Sequence, residues 1–201
     1  MFAVPSPAKE VTETMGCFNA VRKHLLGEGK FDSKDAGTTA LVIGDGSTPR
    51  VGALLALRTS WNCISVDPAF KTKIESVSQD GEVTYAWKNI ARLSVIAKPI
   101  QEVKIKPSKL VVVMMHCHVD LEEALLCVES ECELVGIVAC PCCNFIERQK
   151  VFMGNPPLVD YRDQHMATPQ NNMRVWLERN LDPTELRKHY EKRKLADEKI
   201  E

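Results

Sequence analysis

The sequence lacks an excess of charge of either sign. Across 201 residues, 26 basic side chains face 27 acidic ones, for a net charge of -1. Whole-surface attraction to nucleic acid or to an anionic membrane is thereby excluded, while a local basic patch stays open. No apolar run approaches the ~20 residues of a membrane span, so no membrane partner is expected. The opening residues, MFAVPSPAKE, put Pro, Ser and Lys where a secretory leader carries its apolar stretch. With 44% apolar and 26% charged residues the composition is that of an ordinary globular chain, which argues against collagen, low-complexity disorder and coiled coil. The length suits one domain of ordinary size.

Cysteine, by contrast, is plentiful, with eight residues. That density is below that of a small disulfide scaffold. Cys17, Cys63, Cys127 and Cys132 are scattered, while Cys117, Cys140, Cys142 and Cys143 lie in or beside apolar runs. We expect mostly free thiols and a reducing, intracellular compartment, the cytoplasm.

Apolar residues at helical spacing (Val11, Met15, Phe18, Val21, Leu25) predict a helix over 11–26, after a loose arm over 1–10, with Gly27 as its stop. TALVIG, from Thr39, is a short strand ending in glycine, and 49–59 fits a helix with Pro49 near its first turn. Further strands are expected over 61–66, 93–100, 110–117, 134–140 and 173–177, and GEVTYAW is a strand candidate. LEEALLCVES, after Asp120, reads as a helix with carboxylates in its first turn. Residues 144–172 read as a long polar loop. Asp182-Pro183-Thr184-Glu185 is a capping box that opens a C-terminal helix. From 182 onward six acidic and six basic side chains mark that helix as mainly a solvated face. The strands LVVVMMHC and LVGIVAC are continuous apolar runs, so both of their faces are covered. Alternating strands and helices of this kind imply an α/β fold, a three-layer sandwich with a mostly parallel sheet. The expected layout is one domain over 1–201: an arm and helix over 1–37, an α/β core over 38–180 and the helix over 181–201.

In such sheets ligands bind beyond the carboxyl ends of the strands, near the switch point. The first strand ends in Gly44-Asp45-Gly46-Ser47-Thr48-Pro49-Arg50. Two glycines allow a tight turn and a close ligand, and the next helix offers free N–H groups. Asp67 ends the second strand, 23 residues after Gly44. A carboxylate there can accept hydrogen bonds from both ribose hydroxyls. The third glycine of a dinucleotide loop is absent, as is the Lys-Ser/Thr pair of a Walker A loop, so a nucleoside without pyrophosphate fits best. A tight turn with a capping acid is the plainer alternative.

This pattern resembles motif I and the ribose-binding acid of Rossmann-like class I S-adenosylmethionine (SAM)-dependent methyltransferases. The resemblance implies that Gly44, Asp45, Gly46 and Ser47 line the methionine side of SAM and that Asp67 holds the ribose. Thr48 replaces the family's third glycine, and Val42-Ile43 stand where an acidic residue is common. A second likeness lies at the fourth and fifth strand ends, Met114-Met115-His116-Cys117-His118-Val119-Asp120 and Cys140-Pro141-Cys142-Cys143-Asn144. It is similar to a methyltransferase subgroup that includes a tRNA 2′-O-methyltransferase family and the methyltransferase-like domain of a glutathione-transferase-related protein. His118 stands where that subgroup has glycine, and the likeness covers roughly 38–145. It implies His116 or His118 as general base, and Cys142, Cys143 and Asn144 as lining for the acceptor. RNA as acceptor follows from resemblance alone; Arg50, Lys71, Lys73, Arg148 and Lys150 are candidates for a basic patch around the mouth.

Two alternatives remain. One is a methyltransferase-fold scaffold without catalysis. The other is a zinc module built from His116, His118, Cys140, Cys142 and Cys143, although neighbouring strand cysteines point to opposite faces. Cys140 and Cys143 can equally be core filler. Gly154-Asn155-Pro156-Pro157-Leu158 looks like an amino-methyltransferase motif, but it follows the fifth strand and reads as polar loop. The discriminating observation is whether the 44–48 loop and Asp67 face one open pocket.

Overall fold

The computed structural model describes residues 7–70, 76–77, 83–84, 87–142 and 145–198. Its centre is a seven-stranded sheet built from β1 (Thr38–Ile43), β2 (Asn62–Val66), β5 (Leu93–Ile96), β6 (Lys109–Met115), β7 (Cys132–Cys140), β8 (Val159–Arg162) and β9 (Asn172–Leu181), in the order β5-β2-β1-β6-β7-β9-β8. β3 (Ser76–Val77) and β4 (Val83–Thr84) form a separate antiparallel pair.

The sheet is Rossmann-like: its first five long strands follow the order 3-2-1-4-5 common to nucleotide-binding folds, all parallel. β9 departs by running antiparallel to both β7 and β8. The chain leaves β1 towards β2 on one side and resumes on the other side with β6. The switch point therefore lies at the carboxyl ends of β1 and β6.

The apolar runs bury side chains on both faces, as continuous runs require. One face carries Leu41, Ile43, Leu110, Val112, Met114, Ile137 and Ala139, and the other Ala40, Val42, Val111, Val113, Val138 and Cys140. The first face is closed by α3 (Leu121–Leu125) and by Leu186 of α4 (Pro183–Asp197); the second by α1 (Pro7–Ala20), its continuation Val21–Leu25 in a π-helical turn, and α2 (Arg50–Arg58). Gly52 of α2 lets helix and sheet meet: a Cβ there would stand 3.1 Å from both Ser65 Cβ and Leu93 Cδ1.

Several expectations change. The first helix begins at Pro7, inside the supposed arm, and its buried face is Glu13, Gly16, Cys17 and Ala20 rather than the Val11 and Met15 stripe, which is exposed. Small residues at 16, 17 and 20 allow the closer approach, and Gly16 packs against Met166. The helix after Asp120 stops after five residues, because the chain turns at 126–127 to place Val128 in a bridge with Ile105. The third long strand ends at Ile96, since Pro99 starts a 3-10 turn over Ile100–Glu102. Residues 144–172 are not all loop, as they contain β8, and the last strand runs to Leu181. β8 is a four-residue edge strand whose burial only alternates between intermediate and exposed, so no apolar run marks it. GEVTYAW lies partly outside the described residues; Val83–Thr84 within it is strand.

Of the expected capping box the Asp182 half is seen at α4, where Asp182 Oδ1 accepts a hydrogen bond from the Thr184 N–H at 2.7 Å, while Glu185 accepts from Lys188 instead. Seven cysteines are free and buried, and Cys143 lies outside the described residues. No helix among the described residues is long and apolar enough to cross a membrane.

Candidate functional site

The sheet ladder brings the predicted residues together. Gly44 N–H donates to Val66 O (3.1 Å) and His116 N–H donates to Cys140 O (2.8 Å), so the ends of β1, β2, β6 and β7 stand side by side. Beyond them lie two cavities that share Gly44 and His116.

The larger, about 310 Å³, is bounded by Gly44 and Asp67, by the apolar Ile43, Val66 and Ile100, and by the 116–119 segment. Of the 44–48 loop only Gly44 shares this cavity with Asp67; Asp45 and Gly46 border the second one. Asp67 Oδ2 accepts from Gly46 N–H at 2.8 Å and Oδ1 from Ala69 N–H at 2.7 Å. A carboxylate oxygen has two acceptor positions, so among the described residues each oxygen keeps one for a ligand hydroxyl. Above Gly46 the space is open: a built Cβ would find Arg50 Nη2 at 3.8 Å as its nearest neighbour. An acceptor pair beside an exposed loop backbone and an apolar wall fits a nucleoside.

Gly44 has a different role from Gly46. Its φ of +78° and its packing against Cys117 and Met115 O make it the hinge on which the β6 end rests. Asp45 is also turned inward. Its carboxylate accepts from Val51 N–H and Gly52 N–H, both at 3.0 Å, and from the Ser65 hydroxyl at 2.7 Å. Burial raises its carboxyl above the ordinary range, against those three hydrogen bonds. Only its backbone is left to line a ligand, while Ser47 is exposed on the loop.

The second cavity, about 180 Å³, lies between α1 and the loop and is bordered by Glu10, Glu13, Thr14, Arg50 and His116. Here Glu13 Oε1 lies 3.0 Å from His116 Nε2, and Arg50 pairs with Glu10. Burial pulls the Glu13 carboxyl up, but the His116 contact and Lys9 outweigh it and hold it below the usual range. His116 itself is left-handed, with φ +48°.

His118 is exposed and stacks flat on Phe145, centroids 5.3 Å apart, with Arg148 over the same ring. Cys142 is buried, and Cys143 and Asn144 lie outside the described residues. Cys140 Sγ–H donates to Gln170 O. Among the described residues no group of three or more His, Cys, Asp or Glu is placed to hold a metal ion. The proposed basic patch is likewise divided: Arg50 is on Glu10, Lys150 on Glu147, and Lys71 and Lys73 lie outside the described residues. Asn155 accepts from Trp176 Nε1 and borders a separate cavity with Met153 and Glu178.

Sequence reasoning missed Glu13, Ile100 and Gln149. Gln149 is fully buried and donates to Val119 O at 2.7 Å, holding the 116–119 segment from below. Glu13 shares its helix face with Glu10 and carried no signal that set it apart; Gln149 sits in a polar loop and had none.

No family model matches the chain, and no curated protein matches it by sequence. Among solved structures it is similar to the 16S rRNA (adenine(1408)-N(1))-methyltransferase from Catenulisporales acidiphilia, 10% identical, covering 91% of this chain and 97% of that one at a TM-score of 0.46. It is similar to the 23S rRNA methyltransferase ErmE at 10% identity, with 85% and 68% covered and a TM-score of 0.45. Coclaurine N-methyltransferase, bound to N-methylheliamine and SAH, is 12% identical at a TM-score of 0.33, and the match spans about half its length (68% of this chain and 52% of that one covered).

Proposed function

We propose that this protein binds SAM and transfers its methyl group to an acceptor. One observation carries this: Gly46 and Asp67 are joined by a hydrogen bond beside the switch point, and Asp67 borders an apolar-walled cavity with acceptor positions that no described residue fills. Asp67 would hold the ribose hydroxyls. The backbone of Gly44, Asp45, Gly46 and Ser47 would follow the methionine side, and Ile100 and Val66 would cover the base. SAM, when bound, supplies a methyl group on a sulfonium. The chain's part is to align that group with the acceptor and to remove the acceptor's proton. His116 and His118 are the bases at hand on the cavity wall. Cys142, with Cys143 and Asn144, would face the acceptor.

Calorimetry with SAM tests the reading: binding is expected well below millimolar, and silence at millimolar SAM would leave a binding scaffold without catalysis. Methyl transfer from labelled SAM into RNA, protein and small-molecule pools identifies the acceptor.

A further inference from the structure

We propose that Glu13 and His116 act as one unit, in which the α1 carboxylate fixes the imidazole so that Nδ1 receives the acceptor's proton. This rests on the methyltransferase reading and narrows it from two histidines to one, adding Glu13 as the positioning residue.

The contact joins residues 103 positions apart at 3.0 Å, and Glu13 is only 8% exposed. An ionised carboxylate only accepts hydrogen bonds, so Nε2 carries the hydrogen, and in the neutral ring that leaves the lone pair on Nδ1. Among the described residues Nδ1 has no hydrogen-bond partner, and His116 borders both cavities. His118, in contrast, is stacked on Phe145 without a carboxylate partner among the described residues.

The backbone agrees. A left-handed non-glycine residue costs on the order of 1–2 kcal/mol, and such residues gather at functional sites. His116 is held in that state by its N–H bond to Cys140 O and by Cys117 packed on Gly44. Nor is the contact needed to dock α1: Cys17, Ala20, Val21 and Leu25 already bury themselves to 1% exposure or less. The charged groups facing the imidazole are Lys9, Glu10 and Glu13 from α1, Asp45 and Arg50 from the glycine loop and α2, and Asp67 and His118 across the larger cavity. Of these only Glu13 is in hydrogen-bond contact, and it is held in its ionised form at neutral pH.

In the transfer, the acceptor's X–H bond gives its proton to Nδ1 while its lone pair takes the methyl carbon. The pair of the broken carbon–sulfur bond stays on sulfur. The positive charge lost there reappears on the imidazolium, against Glu13.

The test is nitrogen NMR of protein with labelled histidine side chains. His116 is expected as the Nε2–H tautomer with a deshielded, slowly exchanging Nε2–H proton, and Glu13→Ala, with its sheet amide spectrum intact, is expected to lose that deshielding and protection. A wild-type Nδ1–H tautomer, or an unchanged Nε2–H proton in folded Glu13→Ala, overturns the unit. Should Glu13→Ala not fold, Glu13→Gln keeps the shape without the charge. Its single-turnover methyl transfer at saturating SAM should fall about 10²-fold, with Glu13→Asp restoring part of it; an unchanged rate overturns the proposal. Failure of the unmodified protein to bind SAM would overturn the methyltransferase reading and the proton-transfer role together, whereas a mobile tautomer with SAM bound would overturn the Glu13–His116 unit alone.

Discussion

A methyl group added at Gly44 would stand 2.8 Å from Cys117 Cβ and 3.0 Å from Met115 O. The ends of β1 and β6 therefore meet with no room for a side chain, and the φ of +78° at Gly44 favours glycine independently. Gly44→Ala should cost about 2–4 kcal/mol, combining overpacking with left-handed strain. Gly46→Ala has a similar φ of +74° but open space, so strain alone should cost about 1–2 kcal/mol. Urea unfolding of both variants measures the difference. Equal losses would mean that the Gly44–Cys117 contact does not set the geometry.

Asp67 ties two loops and, among the described residues, leaves one acceptor position on each oxygen. Asp67→Ala should raise the Kd for SAM roughly 10- to 100-fold, the worth of one or two hydrogen bonds to a charged group. Asp67→Asn retains one acceptor for Gly46 N–H and should lose less. Calorimetry that finds the same Kd for Asp67→Ala and wild type removes Asp67 from the ribose.

The parallel sheet was legible because β6 and β7 are unbroken apolar runs, and the edge that carries the two cavities because glycine and acid sit at strand ends. β8 was not: an edge strand with Asp160 and Arg162 looks like loop until β9 pairs with it. The face of α1 was misjudged because apolar size was taken for burial, whereas Gly16, Cys17 and Ala20 approach the sheet by being small. Gly44 and Asp45 were recognised as a loop pair, yet their side-chain roles come from long-range partners, Cys117 and the α2 amides. No local pattern encodes such partners, and the Glu13–His116 contact is of the same kind.

The thiols should be silent in the folded protein. Burial pushes Cys63, Cys117, Cys127 and Cys140 up to about 12. An unfolded thiol titrates near about 8.5. Folded values above unfolded ones contribute stability that is complete below about pH 8.5 and is lost as pH rises towards 12. Stability to urea should therefore decline steadily above that pH. Iodoacetamide at neutral pH should label these four only after unfolding. Rapid labelling of any of them in the native state would show that its site opens locally.

Arg193 ties the C-terminal helix to the start of α3. Its Nη1 donates to Glu122 Oε2 at 2.5 Å and its Nη2 to Asp120 Oδ2 at 2.7 Å. Glu122 is fully buried and among the described residues otherwise accepts only the Met153 N–H, with His189 3.7 Å away. The rest of α4 offers little apolar grip beyond Leu186. Removing the guanidinium leaves a buried carboxylate nearly unpaired, so Arg193→Ala should destabilise by about 3 kcal/mol. Arg193→Lys keeps the charge but cannot fork between two carboxylates, and should recover only part of the loss. If the tail were merely a solvated face, Arg193→Ala would change nothing. A double variant, Glu122→Gln with Arg193→Met, removes the buried charge and its partner together and should be more stable than Arg193→Ala alone. Asp120 opens α3 two residues after His118, so a released tail should also loosen that edge of the larger cavity. Hydrogen exchange at 121–125 is then expected to rise in Arg193→Ala, while amides of β1 and β6 stay protected.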